Sequence, residues 1–234
     1  PSAYIKTNIE GTFNILEASK QNKLSNIIIT STSETYGTAQ YVPICEKHPL
    51  VGQSPYSASK IGADQLAISY NKSFELPIKI VRPFNTYGPR QSERAIIPTV
   101  ISQLMNNNNK ITLGNTTPTR DFTFVKDTVN GFIEISKCEK LNGEVTNIGM
   151  KDEISILNLV KLISKIMNVE IQIISESKRI RPEESEVQRL FCDNTKLLKS
   201  TSWKPEYDLR RGLIETIEWA KSNMRFFKPN IYNV

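Results

Sequence analysis

The sequence predicts an α/β fold, a doubly wound parallel sheet joined to a smaller α+β lobe. Three observations carry that prediction. Helix-period and strand segments alternate along the N-terminal third of the chain, the order a parallel sheet requires. The strand segments are near-continuous β-branched runs, as in sheets covered on both faces. From about Arg90 the alternation gives way to short extended pieces set among longer helices.

Each element has a local reason. "AYIKTNIEGTFNILEASKQ" spaces its apolar residues at three and four, the period of an amphipathic helix. "NIIITST" is a short buried strand bounded by polar residues, "YSASKIGADQLAISYNKSF" a second helix, and "PIKIVRPFN" a second buried strand. In such sheets ligands sit beyond the C-terminal strand ends, which here are Ser31 to Glu34 and Pro83 to Gly88. Further on, "AIIPTVISQLMNN" reads as helical despite Pro98, "KITLGN" and "DFTFV" as extended, and "VKDTVNGFIEISKC" as helical. "GEVTNIG" and "EIQII" are strands that flank "SILNLVKLISKIM", a helix capped by Ser155. Asp208 caps a last helix, "LRRGLIETIEWAKSN".

The 234 residues are 38% hydrophobic and 23% charged, enough apolar material for a packed core and too much for a disordered chain. Net charge is +6, yet no dense basic run or basic–aromatic interleaving points to nucleic acid. No apolar run approaches the ~20 residues that span a bilayer, and no signal-peptide pattern precedes the first helix. Cys45, Cys138 and Cys192 lie far apart without metal-ligand spacing. A reducing, cytoplasmic setting is expected, with neither a disulfide framework nor a metal site.

In "SPYSASKIGADQL", Tyr56 and Lys60 lie four residues apart on one helix face. Read alone, that spacing is an ordinary surface contact. The chemical reading is that the ammonium lowers the phenol's pKa from its usual ~10, letting it act as a base near neutrality. "TSTSETYG" sets Thr32, Ser33 and Glu34 at a strand end, either a Ser/Thr turn or a hydroxyl–carboxylate acid/base set. "RPFNTYGPR" brings Asn85 to a second strand end, as a turn-former or as a donor to an anion or sugar.

The ordered set "TN..GT.N.LEA", "STSETYG", "PYSASK", "RPFNTYGPR", "TRDFTFVKD" and "NIG" resembles the extended short-chain dehydrogenases/reductases. Within them it resembles the NAD-dependent epimerase/dehydratase group that acts on nucleotide sugars. Each motif is weak alone; the set covers essentially the whole chain. The tail "RIRPEESEVQRLFCDNTK", followed by "WKP", is most similar to the sugar-nucleotide 4,6-dehydratases of the legionaminic acid pathway.

The resemblance implies a Rossmann-type sheet over residues 1–89, with returns near 121–150, and a mainly substrate-binding lobe over 90–234. It implies that Tyr56 takes the proton of the sugar 4-hydroxyl, that Lys60 holds the nicotinamide ribose, and that Thr32 hydrogen-bonds the sugar O4. Glu34 then removes the C5 proton. Ser33 stands where dTDP-glucose dehydratases have Asp, which leaves Glu34 both to take and to give the proton. Pro83 and Phe84 match the backbone beside the nicotinamide. Asn85, Pro98, Arg120, Asn147, Arg181 and Arg189 match substrate-side positions, the arginines near the diphosphate.

Nucleotide-uronate decarboxylases share the Thr-Ser-Glu triplet, so decarboxylation or 4-epimerisation stays open beside dehydration, as does a non-catalytic scaffold. The expected cofactor is NAD, with NADP open. The expected partners are a nucleotide-diphosphate sugar and a second copy bound through the 4–20 and 56–73 helices. The 10 glycines include no two within five residues, so a glycine-rich phosphate loop is absent. By the resemblance the chain reads as the C-terminal portion of a longer enzyme.

Overall fold

A computed structural model describes residues 1–106, 109–176, 182 and 186–227. It opens with α1 (Ser2–Tyr4), a π-helical turn (Ile5–Glu10) and α2 (Gly11–Gln21), which run on as one helical stretch. Next come β1 (Ile27–Thr30), a 3-10 turn (Ser33–Tyr36), α3 (Pro55–Phe74), β2 (Ile78–Pro83) and β3 (Asn85–Tyr87). The middle of the chain forms α4 (Ile96–Met105), β4 (Lys110–Leu113), β5 (Thr119–Arg120), β6 (Phe122–Phe124), α5 (Val125–Lys137) and β7 (Val145–Ile148). The rest forms β8 (Ile154–Ser155), α6 (Ile156–Met167), β9 (Gln172–Ser175), α7 (Thr195–Ser200) and α8 (Leu209–Ser222).

β1, β2 and β7 form a parallel sheet with β2 central, Ile27 pairing with Ile78 and Ile80 with Val145. Helices cover both faces, so its strands are apolar on both sides. On one face Leu16, Ala67 and Tyr70 pack against Ile27, Ile29, Ile78 and Ile80. On the other, Val81 and Ile148 meet Ile135 of α5, Leu197 and Trp203. The first helical stretch approaches α3 closely: a Cβ on Gly62 would lie 3.1 Å from Cδ1 of Ile9. This is the doubly wound parallel architecture the alternating pattern predicts.

Beyond the sheet, α4, α6 and α8 enclose a large apolar cluster built from Val100, Leu104, Leu159, Ile163 and Leu213, with β4 paired parallel to β9. Pro98 is tolerated because it is the third residue of α4, where no intrahelical N–H partner is lost. β3 pairs with β6, and β5 pairs with β8. Asn85 of β3, Arg120 of β5 and Phe122 of β6 line a cleft. Among the described residues, no helix is long and apolar enough to cross a membrane, and no His/Cys/Asp/Glu group could hold a metal.

Candidate active site

The loop after β1 and the start of α3 face each other. Ser54 caps α3 by accepting from the Ser57 amide at 3.1 Å, Ser57 returns the bond, and Pro55 fills the first turn. Tyr56 is therefore the second residue of the helix, at the end whose dipole favours negative charge. Thr32 caps the 3-10 turn by accepting from the Glu34 amide at 3.2 Å, and its side chain also hydrogen-bonds Tyr56. Tyr4 packs edge-on against Tyr56 with ring centroids 5.6 Å apart.

The electrostatics differ from the expectation that Lys60 lowers the Tyr56 pKa. Burial and then the Glu34 carboxylate push the Tyr56 phenol above its ordinary value, and the Thr32 hydrogen bond only partly offsets them. The Lys60 ammonium donates to the Thr30 carbonyl. Burial lowers its own pKa, against the opposing pull of Asp64. With that ammonium turned to the strand end, the phenol stays protonated near neutrality. Tyr56 needs further positive charge beside it to act as a base.

A cleft of about 560 Å³ opens beside Glu34, in the size range of small-molecule sites; Thr32, Tyr56 and Lys60 are not among its lining residues. Glu34, Asn85 and Arg120 line it, together with Gln91, Arg94 and Glu186, which the sequence reading passed over. Gln91 directly follows the "YGPR" strand end, and Arg94 comes three residues further on. Asn85 Oδ1 and Gln91 Oε1 are buried with no partner among the described residues. Orphaned acceptors of this kind call for a bound donor. Arg120 pairs with Glu186 at 3.3 Å, both side chains 13% exposed.

Other expected site residues lie elsewhere. Ser33 is buried in its turn and is not among the residues lining this cleft. Pro98 is packed inside α4, away from the cleft wall formed by its neighbours Ile97 and Thr99. Asn147 is fully buried and does not line the cleft. Its Oδ1 accepts from the Tyr36 hydroxyl at 2.7 Å, its Nδ2 donates to the Ile44 carbonyl, and its amide donates to Glu46. It fastens β7 to neighbouring loops because the strand pleat turns it inward. Arg189 forks onto Glu153, both contacts from Nε being 3.0 Å, and so is committed to a carboxylate. Arg181 lies outside the described residues.

Pro83 ends β2, and Phe84 is buried with its amide on the Ile148 carbonyl at 2.8 Å. A nicotinamide dinucleotide fits this chain at one end. Tyr56 and Lys60 supply the hydroxyl and ammonium that suit a nicotinamide ribose, while the 234 residues bring no glycine-rich turn for the pyrophosphate.

Residues 1–216 match the family model described as GDP-mannose 4,6 dehydratase. A putative UDP-glucose 4-epimerase of Methanocaldococcus jannaschii is 32% identical, over 93% of this chain and 70% of the relative. The crystal structure of dTDP-glucose 4,6-dehydratase from Bacillus anthracis, in complex with NAD, superposes with a TM-score of 0.86 at 29% identity. That match covers 96% of this chain and 71% of the other. UDP-glucuronic acid 4-epimerase from Bacillus cereus, solved with UDP-glucuronic acid and NAD, has a TM-score of 0.86 at 31% identity, covering 93% and 68%. The chain belongs to the GDP-mannose 4,6-dehydratase family, within the NAD-dependent epimerase/dehydratase branch of the extended short-chain dehydrogenases/reductases.

Proposed function

We propose that this protein is a nucleotide-sugar 4,6-dehydratase acting on an N-acetylhexosamine nucleotide, for surface-glycan or nonulosonic acid synthesis. The observation that carries this reading is Glu34, a carboxylate on the cleft wall two residues from the hydroxyl that bonds Tyr56. A 4-epimerase needs only the removal and return of hydride at C4. Elimination across C5–C6 also needs a base for the C5 proton, and Glu34 is placed to be one. The legionaminic-type tail supports the choice of sugar.

NAD, when bound, supplies the hydride acceptor and later donor, and a positive ring near Tyr56 and Lys60. Tyr56 takes the 4-hydroxyl proton while Thr32 holds O4. With C4 a ketone, the C5–H becomes acidic and Glu34 removes it. Glu34 then protonates the departing C6 hydroxyl, because Ser33 is a poor acid and is buried away from the cleft. Asn85 and Gln91 orient the sugar, and Arg120 exchanges Glu186 for a diphosphate oxygen, where a planar fork fits best.

The same reading divides the chain near residue 90 into a cofactor lobe and a substrate lobe. It assigns the 4–20 and 56–73 helices to a homodimer interface. Tyr4, Ile5, Phe13 and Ile15 are exposed there, each more than 40%. Cys45 and Cys138, half-buried and free, accord with a cytoplasmic setting. The test is to incubate the full-length gene product with UDP- or GDP-N-acetylglucosamine and read the product mass. Loss of one water supports dehydration. An isobaric C4 epimer, or decarboxylation of a nucleotide uronate alone, overturns it in favour of the sister chemistries.

A further inference from the structure

We propose that the buried Asp64–Arg82 pair is a positioning clamp that holds both ends of the Ser31–Tyr36 loop, and with it Thr32 and Glu34, in register with Tyr56. This rests on the dehydratase reading for what the loop does, but not for where the clamp sits. Asp64 is 0% exposed and lies one turn beyond Lys60, so that Tyr56, Lys60 and Asp64 form one stripe of α3. Its Oδ2 accepts three bonds, from Ser31 Oγ at 2.8 Å and from Arg82 Nε and Nη2 at 3.1 and 2.8 Å. Ser31 is the residue at which the loop leaves β1. Arg82, 2% exposed, also lies over the ring of Tyr36, 4.8 Å from its centroid, at the loop's far end. The Tyr36 hydroxyl in turn reaches Asn147 on β7. One ion pair therefore grips the loop's first and last residues and ties them to α3, β2 and β7.

Stability is a weak reason for this arrangement. Burying two charges carries a desolvation cost that the pair's attraction roughly offsets, and apolar replacements are often as stable. The planar, multi-bonded geometry instead fixes direction, which an apolar contact does not. Asp64 also partly opposes the burial that lowers the Lys60 pKa. Asp64 and Arg82 touch neither the cleft nor the phenol. Their role is to place the groups that do.

The test is Asp64→Asn in the full-length gene product. It keeps the shape and an acceptor for Ser31 but removes the charge. Amide hydrogen exchange over residues 31–36 is expected to speed up about tenfold, with α6 unchanged. On the nucleotide sugar, kcat is expected to fall about tenfold or more while KM stays within about twofold, since misplacement acts on the reacting geometry. Asp64→Glu, which restores the charge, should recover part of both. If Asp64→Asn fails to fold, Arg82→Lys gives the same reading, because it keeps a cation but loses the fork and the stacking on Tyr36. Exchange that is unchanged over 31–36, or accelerated equally in α6, overturns the clamp; so does an unaltered kcat. A wild-type enzyme inactive on every nucleotide sugar would defeat the proposed function instead, leaving the exchange result to decide the clamp.

Discussion

The sheet lobe and the α4–α6–α8 lobe differ in how they bury polar groups. In the sheet lobe, buried Lys79 reaches Asn26 and the Ser136 carbonyl, Arg82 reaches Asp64, and Asn147 reaches Tyr36 and Ile44, each bond crossing between elements. In the helical lobe, buried Thr216 bonds the Gly212 carbonyl of its own helix, and Ser164 bonds the Val169 carbonyl at its own helix end. The rest of that core is hydrocarbon and aromatic, apart from the Tyr87 hydroxyl, which donates across to the Leu209 carbonyl of α8 at 3.1 Å. Cross-element polar bonds have direction and lock register. An apolar core tolerates sliding and gives cohesion. The difference teaches a division of labour: on the proposed function, the reacting groups stand where directional bonds are dense, and the helical lobe supplies a stable wall for the cleft.

The largest test of that division is Tyr56→Phe. On the proposed function, turnover should drop about 10³-fold or more, the scale of a lost acid/base group, with the unfolding midpoint nearly unchanged. Undiminished activity would remove chemistry from the sheet lobe altogether. Glu34→Gln sharpens the same side. Water loss should fall about 10²-fold or more, while the C4-oxidised state still forms and is seen as absorbance of reduced nicotinamide. If both steps vanish together, Glu34 acts in binding and not at C5.

Leu159→Ala probes the other lobe. Leu159 is 0% exposed in the helical core and is not among the residues lining the cleft. Its truncation should cost about 2–5 kcal/mol in urea unfolding, with kcat per folded molecule retained. A change in kcat at full folding would mean that the helical core also sets reacting geometry.

Much of this division is legible in the sequence, and the limits are physical. Period and β-branching mark the long elements, so α3, α6, α8 and the three sheet strands fall where the pattern places them. α7 escapes notice because six residues carry too little periodicity. β5 and β8 pair over two residues each, set by the chain around them. At the site, strand ends locate Glu34 and Asn85 on the cleft. The same rule says nothing of which way a side chain turns, and Asn147, which the resemblance puts on the substrate side, faces inward to Tyr36 and Ile44. Asp64 was visible as the third member of the Tyr56–Lys60 stripe, but a lone acid on a helix gives no sign of an arginine on a strand until the fold brings them together.

Asp121 offers a pH test of the seam between the lobes. It is 0% exposed and accepts from the amides of Met150 and Lys151 at 2.8 and 3.0 Å and from Cys192 at 3.2 Å. Burial outweighs those bonds and pushes its carboxyl up to about 7, against an ordinary 3.8. The folded state therefore holds an extra proton between about pH 4 and pH 7. Its contribution to stability is greatest near pH 4 and is lost as pH rises through about 7. Asp121→Asn cannot ionise. From pH 5 to pH 8 wild type should lose on the order of 2 kcal/mol relative to the variant, read from urea midpoints. Parallel curves would show that the amides, and not burial, govern this carboxyl.

The smallest effect returns to the helical lobe and asks whether direction matters there at all. Asp208 caps α8, its Oδ1 accepting from the Arg211 amide at 2.7 Å. It is exposed, so its loss opens no cavity and strands no buried charge. α8 delivers Leu213, Ile217 and Ala220 to the apolar core, and those contacts persist whether or not the first turn is capped. Asp208→Ala should therefore cost about 1 kcal/mol, the usual worth of one cap, and leave substrate affinity untouched. If it costs several times more, or weakens nucleotide-sugar binding, then the first turn of α8 holds the lobe by direction and not by burial. The contrast between the two halves would then be one of degree.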